Sequence, residues 1–176
     1  NMIYFDLELF DVTNQTITNN TTGGNCGYAF ANMPMGGDYV VSAERNHDPL
    51  NGVSTKDLIS IQRHLFGQEA FTTAEEYIAA DINASQSISA ADLFELRNVL
   101  LGISEGFTNN ESWKFIPGDY EFENTNNPLN ENIPETFVIE GLNSDYHVDF
   151  KGIKIGDVNG SVILNDSPAL NGRSDG

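Results

Sequence analysis

Apolar and acidic side chains alternate at the start of the chain: Phe5, Leu7 and Leu9 against Asp6 and Glu8, with Phe10 breaking the pattern. A period of two places successive side chains on opposite faces, so residues 2–12 predict a half-buried strand. Residues 13–25 are dense in Asn, Thr and Gly and read as strand ends and turns. Residues 27–30 and 38–42 are two further strand-like runs. Between them lie Asn32-Met33-Pro34-Met35-Gly36-Gly37, suited to a tight connection. Residues 1–45 therefore predict a small β-sandwich portion.

From residue 46 the period changes. Leu58, Ile61 and Leu65 recur at spacings of three and four and stop at Gly67; Leu93, Leu96 and Leu100 do the same and stop at Gly102. Both runs predict short amphipathic helices ended by glycine. Residues 72–80 predict a third, with Thr72 or Thr73 as N-cap and Glu75 and Glu76 in its first turn. Beyond Gly106 the helical period is lost, and 113–116, 120–122, 136–140 and 152–155 are strand-like. The chain thus reads as α+β. Residues 1–45 are β-rich, 46–106 helical, 107–163 β-rich and returning to pack on both, and 164–176 a polar tail or linker.

Composition narrows the functional classes. Of 176 residues, 39% are apolar, enough for a core, while 26 Asp and Glu against 8 Lys and Arg give a net charge of −18. A field of that sign repels phosphate backbones and anionic lipid headgroups and attracts cations, which argues against nucleic-acid partners. No apolar run approaches the ~20 residues that span a bilayer, so membrane insertion is not expected. A lone cysteine, Cys26, leaves neither an intrachain disulfide nor a cysteine zinc cage. His47, His64 and His147 have no zinc-ligand spacing, and no nucleophile–His–acid set or phosphate loop is present. The expected protein is not an enzyme.

The chemistry lies in a repeat. Displaced by 35 residues, 51–67 overlies 86–102, with Val53 on Ile88, Ser54 on Ser89 and Asp57 on Asp92. Before the second helix, Asp81, Asn83, Ser85, Ser87, Ser89 and Asp92 occupy positions 1, 3, 5, 7, 9 and 12 of a twelve-residue loop. This is EF-hand spacing, in which alternate residues turn oxygens toward a Ca²⁺ ion that takes six to eight of them at ~2.3–2.6 Å. Position 6, usually glycine, is Gln86, so strain is expected there. The first copy aligns as Asn46, Asp48, Leu50, Gly52, Ser54 and Asp57 at the same positions. Leu50 offers only a carbonyl and Asn46 is neutral, so a weaker site is expected. Asp157-Val158-Asn159-Gly160-Ser161 repeats the opening of such a loop but lacks a following position-12 acid and helix. It reads either as a turn or as a third calcium site.

These loop–helix units resemble dockerin-like modules, which lack the leading helix of a full EF-hand. Gly27-Tyr28-Ala29-Phe30-Ala31-Asn32-Met33-Pro34, then Gly36-Gly37-Asp38-Tyr39, is similar to the closing half of a transthyretin-like or carboxypeptidase-regulatory-like β-sandwich. With 51–55, 57–58, 61–64 and 152–161, the string resembles a composite module of large secreted surface proteins of Bacteroidota-type bacteria, covering most of 2–161. The resemblance implies an extracellular or cell-surface, calcium-stabilised, multidomain polypeptide whose partners are its own neighbouring domains or other copies of itself. It also implies, as an alternative, docking to a cohesin of another polypeptide. The cohesin-facing pairs would be Thr55-Lys56 and Ala90-Ala91, followed by Gln62-Arg63 and Arg97-Asn98 on the helices. In the resembled sandwich a strand precedes the one at Met2, and here none is seen. The expectation is an open edge beside 2–12, left either by a cut chain or for a strand donated by a neighbour's tail, such as 161–164, in a self-assembling fibre.

Overall fold

The alternation at the N-terminus is kept in β1 (Asp6–Asp11), where Leu7, Leu9 and Asp11 turn inward. The computed structural model describes residues 5–21 and 27–163; Cys26, residues 1–4 and the tail 164–176 lie outside them. Asp11 turns the chain: its Oδ1 accepts the Thr13 and Asn14 N–H groups at 3.0 and 2.9 Å, and β2 (Thr16–Thr21) returns antiparallel. β3 (Tyr39–Glu44) pairs with the other edge of β1. β1 is therefore an interior strand, and the open edge expected beside it is absent. β2 lies within the segment read as turns, because Thr-Ile-Thr-Asn-Asn-Thr places no apolar row on its inner face.

Three helices follow: α1 (Thr55–Leu65), α2 (Ala74–Ala80) and α3 (Ala90–Leu100). Each is opened by a reciprocal cap, Ser54 with Asp57, Thr73 with Glu76 and Ser89 with Asp92. α1 and α3 end where Gly67 and Gly102 adopt φ of 67° and 68°, the left-handed conformation that glycine supplies without strain. Ile61 and Leu96, both fully buried, join Ile78, Ile82 and Val53 in one core.

β4 (Trp113–Pro117) and β6 (Phe150–Lys154) form a two-stranded antiparallel sheet whose Ile116 and Ile153 complete that core. Gly152 faces Phe115 and Trp113, where a Cβ would come within 3.1 and 3.3 Å of their rings. β5 (Thr136–Ile139) crosses to the N-terminal half and pairs with β3, so the first sheet runs β2-β1-β3-β5. Residues 107–163 thus supply one strand to the N-terminal sheet and two to the helical half.

The inner rows of the four-stranded sheet, Leu9–Val41–Phe137 and Tyr39–Ile139, are covered by Tyr28, Phe30, Met33, Leu142, Val148 and Phe150. Apart from Phe150, the first residue of β6, this cover is irregular chain. Residues 27–30 are not a strand, and Tyr28 is fixed instead by its hydroxyl, which donates to the Val148 carbonyl at 2.5 Å. Residues 120–122 are likewise irregular: Tyr120 and Phe122 meet edge to face and the Tyr120 hydroxyl donates to Glu131. Among the described residues the architecture is α+β, with two antiparallel sheets and three α-helices.

Candidate metal centre

The loop between α2 and α3 is ordered by its own acids. Asp81 Oδ1 accepts the Ser85 N–H at 2.9 Å and Oδ2 the Gln86 N–H at 2.9 Å. Asp92, fully buried, accepts the Asn83 N–H on Oδ1 at 3.2 Å and the Ser89 N–H and hydroxyl on Oδ2 at 2.8 and 3.1 Å. The Ser85 hydroxyl donates to the Ser87 carbonyl at 3.1 Å. Ala84 and Gln86 sit at φ of 54° and 61°, so the strain expected at Gln86 is present and Ala84 shares it.

The same pattern recurs at α1 with an opening half from the far end of the chain. Asp157 Oδ1 accepts the Ser161 N–H at 2.9 Å and Oδ2 the Val162 N–H at 2.7 Å. Asp57, fully buried, accepts the Asn159 N–H on Oδ1 at 3.1 Å and the Ser54 N–H and hydroxyl on Oδ2 at 2.9 and 3.0 Å. The Ser161 hydroxyl donates to the Gly52 carbonyl at 2.8 Å. Asp157, Asn159, Ser161, Gly52, Ser54 and Asp57 thus match Asp81, Asn83, Ser85, Ser87, Ser89 and Asp92 one for one. Gly52 has φ of 80°, and a Cβ on it would lie 2.5 Å from Val162 Cα and 2.8 Å from Asp157 Oδ2. Only glycine lets the two segments close.

This corrects the alignment of the first copy. Asn46 faces elsewhere, its Oδ1 accepting the Ser112 N–H at 3.0 Å. The Asp48 carbonyl accepts the Asn51 N–H and the Leu50 carbonyl the Val53 N–H in a local turn. Gly52 and Asp57 do share a loop, but residues 157–161 open it in place of 46–50. The segment read as a lone turn or third site packs against residues 51–57 as the opening half of that loop. Sliding contiguous loops past one another could not find it. Comparing opening halves alone does: Asp157-Val158-Asn159-Gly160-Ser161 and Asp81-Ile82-Asn83-Ala84-Ser85 agree at all three polar positions, with Val158 and Ile82 both buried.

The donor set is made of hard oxygens. Each loop brings two carboxylates, an asparagine amide, serine hydroxyls and a backbone carbonyl into one turn, the ligand types that Ca²⁺ takes. Among the described residues no three His, Cys, Asp or Glu side chains gather as ligands, so neutral oxygens must complete each set. The Asn159 Nδ2 lies 2.6 Å from Asp57 Oδ1, and a half-turn of the amide presents its oxygen instead. Burial pushes the Asp81 carboxyl up, against the Ser85 and Gln86 N–H groups, and the Asp92 charge adds to the rise. Asp157 is raised in the same way, with Asp57 as the neighbouring charge. Lys154 lies near enough to Asp157 for their charges to interact. A divalent cation would relieve both the burial and the repulsion.

Beside the split loop, the buried Lys154 ammonium donates to the carbonyls of Pro49 and Ser112 at 2.9 and 3.1 Å, and burial lowers its pKa to about 8. Asn110 steadies the contiguous loop, its Nδ2 donating to the Asp81 carbonyl at 3.0 Å. Trp113 is buried, with Arg45 over its ring at 5.5 Å, and offers no sugar platform. No helix among the described residues is long and apolar enough to cross a membrane. No protein-family model matches the chain, and no curated protein or solved structure is detectably similar to it.

Proposed function

We propose that the chain is a non-catalytic, calcium-stabilised structural or adhesive module of a secreted or cell-surface protein, binding one Ca²⁺ in each loop. The observation that supports it is that the two loops, one continuous and one assembled from distant segments, share the same carboxylate-to-backbone bonds. A continuous and an assembled loop that repeat the same carboxylate-to-backbone bonds support a shared ligand. In this reading Asp81, Asn83, Ser85, Ser87 and Asp92 hold one ion, and Asp157, Asn159, Ser161, Gly52 and Asp57 the other. The ions offset carboxylate repulsion, so folding and ion binding are coupled. The four-stranded sheet with its irregular cover takes the part of the sandwich. Native mass spectrometry with calorimetric titration tests the reading: two calcium ions per chain are expected, and no bound calcium at millimolar concentration overturns it. The same spectrum reports whether copies associate.

A second reading, docking to a cohesin of another polypeptide, is supported by the outer faces of the helices. Ile59 and Phe94, at equivalent positions of α1 and α3, are exposed, as are Phe66 and Leu101. Pull-down of the whole chain on immobilised cohesin in calcium separates the two readings.

A further inference from the structure

The two loops differ in what holds them shut. The contiguous loop is tied at both ends to helices, α2 before it and α3 after it. The split loop has no covalent link between its halves: residues 157–163 dock along residues 51–57, with the Lys154 ammonium donating to the Pro49 carbonyl at 2.9 Å behind them. Val158 is the one buried apolar anchor in that segment, while Ile163 is 62% exposed. The rest is polar. Asn51 exchanges a pair of hydrogen bonds with Ile163, Nδ2 to carbonyl at 2.8 Å and N–H to Oδ1 at 3.1 Å. The Ser161 hydroxyl reaches the Gly52 carbonyl, and Asn159 reaches Asp57 across 102 residues of sequence. The Asn51 and Ser161 bonds are exposed, so water competes for them. The Asn159 bond to Asp57 is partly buried, and Asp57 and Asp157 oppose closure by their like charge.

We infer that the split loop is a calcium-dependent clasp: an ion there locks residues 157–163 onto the α1 loop, and its loss releases that segment to exchange and proteolysis while the contiguous loop stays in place. The inference rests on the calcium reading above and adds to it a division of labour. One ion stiffens a local turn. The other joins two distant parts of the chain, so the conformation of 157–163 follows the calcium concentration around it.

Hydrogen exchange of the full chain, in excess calcium and in chelator, tests the clasp with ion stoichiometry measured in parallel. Calcium is expected to slow exchange in residues 157–163 at least about tenfold more than in residues 81–92. Asn159→Ala removes a ligand, and Gly52→Ala drives a Cβ into the Val162 backbone without removing any oxygen. Each should lose one ion and the calcium-dependent slowing in 157–163 together. Two bound ions with equal 157–163 exchange in calcium and chelator overturn the clasp and leave the calcium reading standing; no bound calcium overturns both. Should a variant fail to fold, the wild-type comparison still decides the question.

Discussion

The His64 imidazole lies face to face with the Phe71 ring, centroids 4.1 Å apart and planes within 5°, and its Nδ1 accepts the Phe71 N–H at 3.1 Å. Tyr77 meets both rings edge-on from α2. The cluster pins the end of α1 to the chain entering α2, and it requires an unprotonated Nδ1. Burial lowers the His64 pKa below its ordinary 6.5, with the Glu76 charge acting in the opposite sense.

Stability should therefore depend on pH in a defined window. As pH falls below about 6.5 the unfolded chain takes up a proton that the folded chain resists, so the His64 contribution, whole above that value, is lost on acidification. The urea midpoint of the wild type is expected to fall between pH 7.5 and 5.5 relative to that of His64→Phe. Parallel profiles for the two proteins would assign the acid sensitivity elsewhere.

Lys154 gives a second handle at alkaline pH. Lys154→Met keeps the volume but leaves the Pro49 and Ser112 carbonyls without their donor, at a cost of about 2–3 kcal/mol. In the wild type the folded lysine releases its proton near pH 8 and the unfolded one near 10.5. Over that interval the unfolded chain holds more protons, so wild-type stability rises with pH and the gap to the variant widens. Denaturant titrations at pH 8 and 10 measure it.

Calcium should stabilise in two separable parts. At a free concentration of about 100 times its dissociation constant, each ion contributes about 2.7 kcal/mol. Asp81→Asn and Asp157→Asn preserve side-chain shape and should each remove one such contribution; the double variant should melt at the same temperature with calcium or chelator. Scanning calorimetry checks this, and a single variant that abolishes the whole effect would show that the sites are not independent.

On α3, Leu96 is fully buried whereas Phe94 is 66% exposed. Leu96→Ala is expected to cost about 2–5 kcal/mol by leaving a cavity, and Phe94→Ala to stay within about 0.5 kcal/mol. Equal losses in chemical denaturation would mean that Phe94 is covered by another surface.

The helices were legible because Leu58, Ile61 and Leu65, like Leu93, Leu96 and Leu100, mark one face each and glycines mark the ends. β3, β4, β5 and β6 were legible from runs of apolar side chains. β2 was not, since its side chains are nearly all exposed and its pairing with β1 is a matter of backbone alone. Tyr28 and Phe30 alternate like strand residues, yet they serve as a lid over Leu9 and Val41, and spacing does not distinguish those uses. Asp81 and Asp92 could be matched because their loop is continuous. The partner of Asp57 could not be found by proximity in sequence, since what joins it to Asn159 is tertiary packing.

The order of strands in the first sheet constrains how this chain is made. β3 waits for β5, and the α1 loop waits for Asp157, so a ribosome must deliver nearly all of the described residues before either half is whole. Until then the nascent chain exposes Val41 and an unmatched Asp57, and truncated products ending before residue 162 should be recognised as unfinished by chaperones and proteases.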